Sequence, residues 1–157
     1  MSLLTVDGCK NYTVLNEVDR AQGHIVINAS NYRRDRDLVP GWYRFQGDAG
    51  DRMADKCVPV GHCGTYAPGW LSGAHPTIAE GVVTRRVCFS WSYICCDWYE
   101  NIRVKNCGGY FVYELPRLYY WYARYCGNGS AGKFLRMFLI ISVSSQNIKL
   151  QQGFKFV

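Results

Sequence analysis

Apolar and polar positions alternate most cleanly in "NIRVKN" (Asn101–Asn106), where Ile102 and Val104 interleave with Arg103 and Lys105. A period of two is the signature of a strand with one face buried. The Gly108-Gly109 pair follows, and then the strand-forming run "YFVYEL". The whole stretch "NIRVKNCGGYFVY" is therefore expected to form a β-hairpin. Upstream, "EGVVTRRVCFSW" (Glu80–Trp91) carries β-branched and aromatic residues after a glycine, and "WYRF" (Trp42–Phe45) is a shorter aromatic run. Both read as strands. Between them, "QGDAGDRMADK" is a Gly/Asp-rich turn, and Cys57–Pro76 is rich in Gly, Pro and His without helical periodicity. The charged cluster "NYRRDRDLVPG" reads as a loop closing at Pro40-Gly41. Outside a stretch from Lys133, no segment of helical length carries an apolar stripe. The fold class expected is all-β or β-rich, a small disulfide-crosslinked domain with long irregular loops.

Length bounds this picture to one ordinary domain: 157 residues. The expected division is a crosslinked domain over residues 1–130 and an atypical, poorly packed tail over 131–157. The net charge of +6 adds less than it promises. Residues 1–114 hold 12 basic and 12 acidic side chains, whereas residues 115–157 hold 6 basic and none acidic. The excess belongs to the C-terminal part, so no basic groove on the main body is implied and no nucleic-acid partner is expected. The apolar run Phe134–Val143 is too short to span a bilayer and contains Arg136. "MSLLTVDGCK" has neither a basic n-region nor an apolar h-region, so the chain reads as a fragment of a longer exported protein.

The cysteines change the picture most. There are 8, an even number, with Cys95 and Cys96 adjacent between Trp91 and Trp98. Three uses compete for them. Zinc ligation wants Cys-x-x-Cys pairs, which the chain lacks, and adjacent cysteines on an extended segment point in opposite directions. No metal or other cofactor is expected. A nucleophilic or redox thiol needs a base or a resolving cysteine; His24, His62 and His75 are the candidate partners, with His62 next to Cys63. Structural disulfides account for the set best, and they suit an oxidising compartment. Spacing alone leaves 105 pairings open.

The residues carry a resemblance. The stretch Gly41–Leu115 resembles the cysteine-rich, eight- or ten-cysteine domain of the uromodulin, pancreatic zymogen-granule membrane glycoprotein and oncoprotein-induced transcript family. Its Trp-Tyr-Arg-Phe, His75-Pro76 and Cys-Cys-x-Trp elements recur in order. "CKNYTVLNEVDR" resembles the opening of that domain and "RYCG" its close, so the likeness covers roughly Cys9 to Gly127. The resemblance implies a secreted or cell-surface module beside EGF-like or zona-pellucida domains. It implies the pairs Cys9–Cys107, Cys57–Cys95, Cys63–Cys126 and Cys88–Cys96. The family's fifth bridge would fall near Arg34 and near Trp121, both non-cysteine here. The family's mannose-bearing bait asparagine would follow the strand Tyr113-Glu114-Leu115-Pro116, which holds no sequon.

Three sequons stand elsewhere, at Asn11, Asn28 and Asn128, and these are the expected glycosylation sites. Asp48, Asp51 and Asp55 are oxygen donors of the kind calcium prefers, but their spacing is not that of an EF-hand loop, and a solvated turn is expected. Asp97 and Glu100 lack the surroundings a glycosidase carboxylate pair needs. Trp42, Trp70, Trp91 and Trp98 suit either a sugar-stacking platform or a small core packed on disulfides. The function expected is a non-catalytic extracellular interaction module in a larger mosaic glycoprotein, with an unknown protein or glycan partner; a carbohydrate-binding domain using exposed tryptophans is the alternative.

Overall fold

The computed structural model describes residues 7–130. Expectations about residues 131–157 lie outside them. Among the described residues, seven strands form one sheet in the order β1-β2-β6-β5-β4-β3-β7. They are β1 (Thr13–Leu15), β2 (Gly41–Phe45), β3 (Ala67–Ser72), β4 (Val82–Trp91), β5 (Ile94–Asn106), β6 (Phe111–Leu115) and β7 (Ala123–Tyr125). Only four short 3-10 turns interrupt the β-structure among the described residues. β-Rich architecture with long irregular connections is thus the fold.

The alternation of "NIRVKN" appears as the end of β5, paired antiparallel with β6 through Val104↔Tyr113 and Asn106↔Phe111. "EGVVTRRVCFSW" supplies β4, which pairs with β5 from Val82↔Lys105 to Trp91↔Ile94. Ser92 takes φ 53° to reverse the chain at the hairpin tip. β3 is not evident from the sequence, since Pro68 and Gly69 lie inside it. The reason is close packing: a Cβ on Gly69 would sit 2.5 Å from Phe89 Cε1, so only glycine lets the ring lie on the strand. Two pairings, β1 with β2 and β3 with β7, are parallel and bring distant segments together.

One face of the sheet is the core. Phe45, Val87, Phe89, Val104, Tyr113, Leu115 and Tyr125 are buried there, together with Ala49, Met53 and Leu118 from the connections that cover the face. The irregular loops therefore serve as the second layer against which a single sheet buries its apolar side.

Candidate functional site: the disulfide framework and an aromatic face

Four disulfides use all eight cysteines, and no free thiol is present. Cys9–Cys107, with Cα atoms 5.7 Å apart, ties the N-terminal arm to the residue after β5. Cys57–Cys95 joins the connection before β3 to β5, at 5.6 Å. Cys63–Cys126, at 5.5 Å, fastens the same connection to the end of β7. Cys88–Cys96 closes the β4–β5 hairpin, at 4.8 Å. The adjacent cysteines thus serve separate bridges. Their crossing is clamped by the Cys95 carbonyl, which accepts from Trp70 Nε1 (2.9 Å) and Ser90 Oγ (3.1 Å).

The histidines take structural posts. His62 Nδ1 donates to the Gln22 carbonyl at 2.6 Å, and the His24 carbonyl accepts the Cys63 N–H at 2.9 Å. His75 packs on Phe111, with ring centroids 4.5 Å apart. The Tyr113 hydroxyl accepts the Met53 N–H, leaving its own proton for His75 Nε2 at 2.8 Å. That arrangement suits the neutral ring, and burial lowers the His75 pKa against the opposing pull of Asp55.

The candidate acids are dispersed. Asp51 accepts from Arg52 Nε (3.0 Å) and Asn128 Nδ2 (2.9 Å); the Arg52 hydrogen bond holds its carboxyl below the ordinary range. Asp55 lies 3.6 Å from His75 Nδ1, and Asp48 is exposed. Among the described residues no three His, Cys, Asp or Glu groups converge on a metal-sized site. Asp97 and Glu100 sit three positions apart on β5, which directs them to opposite sheet faces.

The sequons differ. Asn11 is exposed. Asn28 caps a 3-10 turn, its Oδ1 accepting from Ser30 N and Oγ, both at 3.0 Å. Asn128, partly buried, stitches two loops together: Oδ1 accepts from Asp51 N (2.9 Å) and Arg52 N (3.3 Å), while Nδ2 donates to Asp51.

The four tryptophans do not form one platform. Trp42 is buried, with Gly8 so flat on its ring that a Cβ would come within 2.4 Å of Cδ2. It borders a cleft of about 790 Å³ with Tyr12, Arg103 and Glu114. Trp70 is half-buried. Trp98 stacks on Phe89 (5.2 Å, 5°) and meets Tyr120 at 4.6 Å, so its indole is flanked by rings. Trp91 lies 5.9 Å from Trp98 and 4.7 Å from Tyr66. From Tyr66 the chain of rings runs on to Tyr32 and Tyr122, each step 5.8 Å.

Trp91 and Trp98 stood among the tryptophans singled out in the sequence, but the tyrosines and Trp121 that extend them were missed; their signal is the run Tyr119-Tyr120-Trp121-Tyr122, all four exposed. The Arg34 and Arg36 guanidinium carbons sit 5.5 and 4.5 Å from the Trp121 ring centre. The two segments in which the family's fifth bridge was expected are thus in contact through cation–π pairs. Nearby lies a second missed feature. Arg20 and Asp35, each 3% exposed, form a bidentate pair at 2.7 and 2.9 Å. Burial opposes the charge on Arg20, but Asp35 and Glu17 outweigh it and raise its pKa.

Known proteins are similar to this sequence. A family model described as a uromodulin-like domain matches residues 43–127. The chain is 43% identical over 129 residues to the pancreatic secretory granule membrane major glycoprotein GP2 of Canis lupus familiaris, covering 79% of this chain and 24% of that protein. The Rattus norvegicus counterpart is 43% identical over 128 residues, with 79% and 23% covered. Uromodulin of Rattus norvegicus is 46% identical over 114 residues, with 72% and 17% covered. The chain therefore spans a quarter or less of the length of these curated relatives.

Proposed function

This chain belongs to the uromodulin-like domain family, and from that premise we propose that it is a non-catalytic interaction module, secreted or at the cell surface, within a larger mosaic glycoprotein. The observation that carries this reading is the use of all eight cysteines in crosslinks. A thiol locked in a disulfide is neither a nucleophile nor a metal ligand, and such density of bridges suits an oxidising compartment. The relatives' names support the same setting: each is a uromodulin or a granule-membrane glycoprotein. EGF-like or zona-pellucida neighbours are proposed on the family likeness. Glycans are proposed at Asn11 and Asn28, whose side chains stand at the surface.

Thiol titration of the native protein tests the reading. No reactive thiol is expected before reduction, and eight after reduction and unfolding. One fast-reacting cysteine in the native state would overturn it in favour of thiol chemistry. The second reading, a carbohydrate-binding domain, draws support from Trp91, which is 40% exposed. A glycan array probed with the oxidised protein separates the two. Saturable binding lost in Trp91→Ala or Trp70→Ala favours the sugar-binding domain, and background signal counts against it.

A further inference from the structure

We propose that the aromatic face around the β4–β5 hairpin tip and Trp121 is a docking surface for an acidic peptide segment of a partner protein; this rests on the interaction-module reading and names its surface and partner chemistry.

Four observations support the assignment. The first is exposure with continuity. Tyr93 is fully exposed at the hairpin tip, and nearby Trp91 leads through Trp98 to Tyr120 in ring-to-ring steps of 5.9 and 4.6 Å. Contiguous exposed aromatics on a folded domain mark interaction sites far more than scattered ones do. The second is rigidity. Cys88–Cys96 closes the hairpin behind the tip and Cys57–Cys95 fastens its second strand to the body. The rings are already packed on one another, so less side-chain freedom is lost on binding.

The third is chemical type. Trp, Tyr and Arg are the residues enriched where binding energy concentrates in protein interfaces. A sugar-stacking site would instead need an open ring face within a concave site. Trp98 is flanked by Phe89 and Tyr120, and the lining of the clefts beside Trp42 and beside Arg34 includes none of Trp91, Trp98 and Trp121.

The fourth is charge. Arg34 and Arg36 converge on Trp121, and among the described residues neither has a carboxylate within ion-pair distance. The acid between them in sequence, Asp35, is withdrawn into the interior by Arg20. Two guanidinium groups held over one exposed indole are thus left without a counter-ion, which an acidic partner would supply.

The test uses the full, oxidised chain panned against a phage-displayed random dodecapeptide library. Enriched peptides are expected to carry Asp or Glu beside apolar residues. Their affinity should fall about tenfold or more in Arg34→Glu/Arg36→Glu and in Trp121→Ala. Non-reducing mass mapping and thermal midpoints establish that both variants keep four bridges. Salt should weaken wild-type binding and, by screening the new like-charge repulsion, strengthen the residual binding of the charge-reversed variant. Enrichment of neutral or basic peptides, no enrichment at all, or equal binding by the variants would overturn the proposal. A sialylated-glycan array is run in parallel. Glycan binding abolished by Arg34→Glu/Arg36→Glu, without acidic-peptide binding, overturns the peptide assignment yet leaves the interaction-module reading standing. The broader reading falls separately, on the thiol titration.

Discussion

Replacing Asp35 by alanine tests how the charged loop is built into the fold. The Asp35 carboxylate accepts from Arg20 Nη1 (2.7 Å), Arg20 Nη2 (2.9 Å) and the Tyr125 N–H (2.9 Å). Its main chain donates to the Ala123 carbonyl at 3.0 Å and accepts from Leu118 N at 3.3 Å. The residue therefore joins the N-terminal arm, the Arg34–Arg36 loop and β7. Truncation leaves the Arg20 guanidinium buried with only the Tyr125 carbonyl (3.0 Å) and the half-exposed Glu17 as partners. It also removes the anion between Arg20 and Arg124, whose Nε lies 3.9 Å from Asp35 Oδ1. Removing one member of a buried pair costs about 3–5 kcal/mol. Glu17 offsets some of this, so about 3–4 kcal/mol is expected, or a fall in Tm of roughly 10–15 °C for a domain of this size. Chemical and thermal unfolding, with the bridges verified as intact, measure it. The double variant Arg20→Met/Asp35→Leu should recover much of the loss, because no unpaired charge from this pair then stays inside. A loss below about 1 kcal/mol, or a double variant worse than the single, would falsify the reasoning.

Asn128→Ala should cost about 1–3 kcal/mol in chemical unfolding, since it removes the stitch to Asp51 and Arg52, whereas Ser130→Ala deletes the same sequon at no cost; glycopeptide mapping should find Asn128 unmodified. Replacing Cys9 and Cys107 together should free the N-terminal arm and lower stability by roughly 4–5 kcal/mol, the figure the chain-entropy model assigns to a long loop, here one with a sequence separation of 98. Cys95→Ala should be worse for yield and for disulfide homogeneity on non-reducing peptide maps, because it strands Cys57 as a free thiol. The pH dependence has a defined sign. Burial lowers the folded His75 pKa below its ordinary 6.5, so the unfolded chain binds the proton first, and stability should fall as pH drops through 6.5 and level off below the folded value. The carboxylates of Asp7, Glu17, Asp51 and Glu80 are shifted down and lose their contribution only at lower pH, below about 4.5. Denaturation midpoints between about pH 7 and 5 should flatten in His75→Gln, and an unchanged slope would remove His75 from the account.

Local order was readable along the chain because it depends on neighbours. The period of two in "NIRVKN", the β-branched run after Gly81 and the Gly108-Gly109 turn were legible as β4, β5 and β6. Eight cysteines without Cys-x-x-Cys spacing already favoured crosslinks over a metal. Other features depend on partners far apart in sequence, which only the folded chain brings together. Pro68-Gly69 makes a poor strand in isolation and becomes β3 only because Phe89 lies on it and β7 pairs beside it. Asp35 and Arg36 are adjacent charges in one polar cluster, yet Asp35 is buried on Arg20 while Arg36 stays with Trp121 near the surface. No local pattern distinguishes them, since burial of a charge depends on whether the fold delivers a counter-ion. The aromatics obey the same logic. Trp42 and Trp91 both stand in strand-like aromatic runs, but one is sealed beneath Gly8 and the other lies 40% exposed beside a disulfide-closed hairpin tip.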